Sequence, residues 1–96
     1  MSERTPVPNR QTYLVEHYRP GLAARELRRE ASRVRIAVEE LIREGAPVRF
    51  RHATIVASDE SLLCVVEASS EDLVRQIYAR ASVPFERISA AVTDQP

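Results

Sequence analysis

Five side chains combine chemistry with a placement in strand-like sequence: the imidazoles of His17 and His52, the thiol of Cys64, and the carboxylates of Glu16 and Glu67. His52 sits between Arg51 and Ala53, and two-residue alternation places it on one face with Phe50 and Thr54. A neutral imidazole there suits Ni²⁺ or Zn²⁺ ligation, or general acid–base work. It equally suits a half-buried histidine hydrogen-bonded to its surroundings. Glu16 shares a face with Leu14 and Tyr18, an apolar setting favourable to a ligand or proton carrier, unless an arginine claims it as a salt-bridge partner. Because Glu16 and His17 are adjacent in a strand, they point to opposite faces and cannot both chelate one ion within a single subunit. Glu67 ends an apolar run and reads as a rim residue. Cys64 lies between Leu63 and Val65, where a cysteine is more often a small buried hydrophobe than a nucleophile or soft ligand. The candidate metal ligands are therefore His52 and Glu16, and the candidate ligand-pocket residues are His17, Tyr18, Phe50, Cys64 and Glu67.

Other catalytic constellations are absent. Gly21 and Gly45 are the two glycines, too few for a phosphate loop, and there is no CxxC, HExxH or Gly-x-Ser-x-Gly. These absences argue against a dinucleotide- or NTP-dependent enzyme.

The elements that must hold these residues follow from periodicity. Gln11 to Tyr18 reads as a short strand ended by Pro20-Gly21. From Leu22 to Glu44 the apolar positions Ala24, Leu27, Ala31, Val34, Val38 and Leu41 recur at three- and four-residue steps, which predicts a long amphipathic helix. Gly45 and Pro47 end it. Val48 to Ala57 and Ser61 to Ala68 read as two strands of a hairpin turning at Ser58-Asp59. Ser69 followed by Asp72 resembles a helix cap, and a second helix should run to about Ala81. Phe85 to Val92 supplies a last strand.

The order β-α-β-β-α-β predicts a ferredoxin-like α+β sandwich, a four-stranded antiparallel sheet with both helices on one face. The run Leu62 to Val66 is apolar on both faces, although two helices cover only one side of a sheet. A second copy covering the other side, as a homodimeric α+β barrel, would resolve this. Residues 11–92 form the expected domain, with 1–10 a disordered arm and 93–96 a polar tail.

With 96 residues the chain has room for one core, and with one cysteine it has no intrachain disulfide. Fourteen basic against 14 acidic residues leave no net field for holding nucleic acid, which is not expected as a partner. All basic residues are arginine. No apolar run reaches membrane-spanning length and the N-terminus lacks a secretory pattern, so a cytoplasmic protein without a membrane partner is expected.

The segments Tyr13-Leu14-Val15-Glu16, Val48-Arg49-Phe50-Arg51-His52-Ala53-Thr54, Cys64-Val65-Val66-Glu67-Ala68 and Val83-Pro84-Phe85-Glu86-Arg87-Ile88 resemble a small bacterial family of nickel-binding, ferredoxin-like proteins, first catalogued as a domain of unknown function. The similarity runs from about Thr12 to Val92. It implies a homodimer and bound Ni²⁺ or another divalent transition metal. An aromatic followed two residues later by histidine in the second strand corresponds to Phe50 and His52, and a glutamate after aliphatic residues in the first strand to Glu16. Many members carry a histidine soon after an arginine in the second helix, whereas this chain reads Arg75-Gln76-Ile77-Tyr78.

Three functions fit these readings. The first is a dimeric protein binding a metal or small ligand. The second is a dimeric α+β barrel enzyme moving a proton on a small organic substrate, and the third is a structural or regulatory interaction module.

Overall fold

The computed structural model describes residues 10–92, so the expected arm (apart from Arg10) and the 93–96 tail lie outside the described residues. Strand β1 (Gln11–Tyr18) leads into helix α1 (Ala24–Arg43), and β2 (Val48–Val56) into β3 (Ser61–Ala68); helix α2 (Glu71–Ala81) and β4 (Arg87–Ala91) complete the chain. The sheet order is β2-β3-β1-β4 with every neighbouring pair antiparallel, the ferredoxin-like arrangement expected from the element order.

Helix α1 begins where the Glu26 carboxylate accepts from the backbone N–H of Ala23 at 2.8 Å. It ends in a Schellman turn: Gly45 at φ +93° donates to Ile42 O and Ala46 donates to Leu41 O, each at 2.9 Å. The cap of α2 is Ser70, one residue later than expected, its Oγ accepting from Leu73 N–H at 3.3 Å. The C-cap of α2, Ser82, takes a left-handed conformation, φ +55°, without being glycine. The hairpin link is a 3₁₀ turn, Ala57–Asp59, closed by Glu60 at φ +53°. The Glu60 carboxylate accepts from Gly21 N–H, and its carbonyl from Arg19 N–H, which ties this link to the exit of β1.

The core lies between the helices and one sheet face. Tyr13 and Val15 of β1, Leu62, Cys64 and Val66 of β3, Leu27, Val34 and Val38 of α1, and Val74 and Ile77 of α2 are buried there. Thr12, Leu14, Glu16 and Tyr18 of β1 and Leu63 and Val65 of β3 alternate onto the opposite face, which no helix covers. None of the described helices is long and apolar enough to cross a membrane.

One irregularity re-aims a candidate side chain. Phe50 pairs with Val66 but His52, two residues on, pairs with Val65, so Arg51 is the extra residue of a β-bulge. Two-residue alternation had put Phe50 and His52 on one face; the bulge corrects that. Phe50 follows Val66 toward the helices, while His52 and Thr54 follow Val65 and Leu63 onto the uncovered face.

Candidate functional site

The sheet divides the candidate residues into two groups. On the uncovered face, Thr54, Leu63, Glu16 and Arg87 form one row across the four strands, and His52, Val65, Leu14 and Ser89 form the next. His52 and Glu16 therefore share a face, but β3 separates their strands, which sets them about 10 Å apart laterally. His52 is exposed and lines a shallow cleft of about 250 Å³ with Thr12, Arg51 and Val65. No ion pair or side-chain hydrogen bond engages its ring among the described residues, so its imidazole lone pair is available.

The carboxylates beside it are committed. Glu16 Oε2 accepts from Arg87 Nε and Nη2 at 3.0 and 2.9 Å, the salt-bridge alternative the sequence left open. Glu67 is buried rather than at an open rim: it accepts from Arg51 through Oε2, and Arg10 Nε lies 3.1 Å from Oε1. Tyr18 stands at the end of the same face, half exposed.

Behind the sheet, the other histidine is built into the core. His17 is 1 % exposed, and its Nε2 lies 3.0 Å from the Tyr78 hydroxyl. Its Nδ1 faces Glu30 Oε1 at 3.7 Å, too long for a hydrogen bond, and neither atom has another partner among the described residues. Glu30 is itself buried and is neutralised by Arg19 Nε at 2.8 Å. The carboxylate opposite Nδ1 favours the tautomer with its proton there, so Tyr78 O–H donates to Nε2. Burial lowers the pKa of His17 and outweighs the attraction of Glu30, leaving a neutral ring. Burial pushes the Cys64 thiol up to about 11 and raises the neighbouring Tyr78 phenol as well.

Two buried groups of this network escaped the sequence reading. Glu30 occupies the apolar stripe of α1, three residues after Leu27 and four before Val34, and that position marked it as buried. Tyr78 follows Ile77 on the buried face of α2. The five residues expected to line one pocket thus separate: His17, Cys64 and Phe50 face the helices, while Tyr18 and Glu67 face the open side. None of the described clefts is lined by His17, Glu30 or Tyr78.

A divalent transition metal needs several convergent donors. No group of three or more His, Cys, Asp or Glu side chains suited to a metal occurs among the described residues. One chain therefore offers a free imidazole and, nearby, carboxylates already held by arginines; it does not complete a metal site alone.

Comparison with known proteins bears on this arrangement. A family model described as "Nickel responsive protein SCO4226-like" matches residues 13–90. The crystal structure of SCO4226 from Streptomyces coelicolor A3(2) superposes with a TM-score of 0.68 at 20 % identity, covering 88 % of this chain and 99 % of that one. That likeness establishes the fold. A search of curated proteins gave no match.

Proposed function

This chain belongs to the nickel-responsive SCO4226-like protein family, and we propose that it is a small cytoplasmic homodimer that binds Ni²⁺, or another divalent transition metal, between two uncovered sheet faces. The observation that carries this reading is the uncommitted imidazole of His52 on a face whose centre, Leu14, Leu63 and Val65, is apolar and only partly exposed. The bulge at Arg51 turns that imidazole to this side. Apposing two such faces removes Leu14, Leu63 and Val65 from water, at about 25 cal/mol per Å² of apolar surface. It also supplies a second His52 to a site that one chain leaves incomplete. Glu16 joins as a ligand by exchanging Arg87 for the ion, a swap of one opposite charge for another.

The test is calorimetric titration with NiCl₂, together with the oligomeric state by sedimentation. The expected result is saturable heat at one ion per two chains and its loss in His52→Ala, with the dimer retained. Equal heat from His52→Ala removes His52 as a ligand, and a monomer that binds one ion per chain removes the shared site. Proton-transfer catalysis is less well supported, because His17, the histidine that faces a carboxylate at 3.7 Å, is sealed behind the sheet.

A further inference from the structure

A second cleft, of about 500 Å³, lies on the helix side of the edge strand, between α1 and β2. Its lining contains four basic residues, Arg28, Arg35, Arg51 and His52, and no acidic one, with the His52 ring turned to the other face. That imbalance is local, since the whole chain carries 14 acidic and 14 basic residues. Arg51 is spent on Glu67. Arg28 and Arg35, in contrast, enter no carboxylate ion pair among the described residues; Arg35 donates only to Ser32 Oγ, at 3.3 Å.

The geometry is ordered on both walls. Arg28, Ser32 and Arg35 fall at i, i+4 and i+7, which brings them to one stripe of α1. The two arginines are separated by about 10 Å along the helix axis. The Arg35 guanidinium sits over the Phe50 ring, 5.9 Å from its centroid, a cation–π contact that tethers the cation to the apolar wall. Phe50, Ala53 and Ile55 form an apolar wall opposite. The bulge keeps these three on the helix side: in an unbroken pleat of the same residues, Ala53 and Ile55 would fall on the face opposite Phe50. The volume lies within the range of small-molecule sites, and a few directed polar groups over an apolar wall is how such sites are composed.

We propose that this cleft binds a small organic anion carrying two or more negative charges, as phosphate or carboxylate groups, anchored by Arg28 and Arg35 with its carbon skeleton on Phe50 and Ile55. Two cations two turns apart beside an apolar wall reward a ligand carrying two or more negative charges over a single-charge anion of the same size. Guanidinium pairs bidentately with either oxyanion, so the cleft is matched to the charge pattern shared by the two ligand types.

The test is metal-free titration calorimetry with citrate, phenyl phosphate, pyrophosphate and acetate as probes, at constant ionic strength. Citrate or phenyl phosphate should saturate at one per chain at least tenfold more tightly than acetate, and the better of them identifies carboxylate or phosphate as the natural group. Tighter binding of pyrophosphate than of both organic probes would remove the apolar wall from the site. The Arg28→Ala/Arg35→Ala variant should lose at least tenfold in affinity. Arg25→Ala/Arg29→Ala removes the same charge from the same helix outside the cleft, and should keep wild-type affinity. Equal losses in the two variants, or no saturation in the wild type, would overturn the proposal. Nickel titration of Arg28→Ala/Arg35→Ala reads the metal site separately and should match the wild type.

Discussion

The two histidines of this chain, on opposite faces of one sheet, show how burial decides what the same side chain is for. His17 is enclosed by Tyr78, Glu30 and the core, and its neutral ring is an internal connector between β1, α1 and α2. His52 stands on the edge strand with its ring unengaged among the described residues, where a change of ligand costs the fold little. On the helix-covered face the imidazole is tied into structure, and on the open face it is left unengaged among the described residues. A polar group enclosed without a partner costs about 1–3 kcal/mol, so the covered face tolerates little substitution.

The sharpest way to break this contrast is to truncate each histidine in turn. His17→Ala leaves a cavity, an unpaired Tyr78 hydroxyl and Glu30 with Arg19 as its remaining partner, so urea denaturation should show a loss of about 3 kcal/mol or more. His52→Ala should change the same midpoint by less than about 0.5 kcal/mol. Comparable losses would mean that His52 is also structural.

A second, smaller effect concerns pH. The Cys64 thiol is raised from an ordinary value of 9.0 to about 11 by its burial. Above pH 9 the unfolded chain gives up this proton and the folded one holds it, so unfolding gains and stability falls as pH rises from 9 to 11. The linked loss is on the order of 2 kcal/mol. Comparing the pH dependence of wild type and Cys64→Ala isolates it: the variant should decline less steeply across that window. A matching slope would show that the thiol is not sealed. Tyr78→Phe should then cost about 1–2 kcal/mol, because it deletes the hydroxyl bonded to His17 Nε2 and keeps the ring against Phe85, 5.3 Å away.

The element order was legible because it rests on periodicity, which backbone geometry imposes on any buried face: the stripe from Leu27 to Leu41 placed α1 within two residues of its observed start. The cap of α2 was misplaced by one residue because Ser69 and Ser70 are chemically alike. The faces of β2 were less legible, since alternation counted from Phe50 assumes an unbroken pleat. A sign was nonetheless present. The apolar positions Val48 and Phe50 keep a two-residue step, then Ala53 and Ile55 resume it after a step of three, and that phase slip is the mark of a bulge. The buried network was hidden for another reason: its members come from three elements distant in sequence, and only packing brings Glu30, His17 and Tyr78 together.

The bulge offers the finest test of the two-face picture, since it keeps Phe50 inward and His52 outward. If Arg51 is a true insertion between two regular stretches, deleting it should join Phe50↔Val66 directly to His52↔Val65 without moving either side chain to another face. The cost would be the contact of Arg51 with Glu67, a buried carboxylate that keeps Arg10 within 3.1 Å, and should come to about 1 kcal/mol or less. Substituting an extra residue for the deletion's opposite, by inserting one alanine after Arg51, should cost more because the strand must then slip or bulge further. Nickel heat that survives the deletion, with amide exchange along β2 still protected, would locate the functional requirement in the side of the sheet His52 occupies. A deletion variant that unfolds would instead show that the bulge supplies strand curvature the core depends on, and that the division between faces is a by-product of packing.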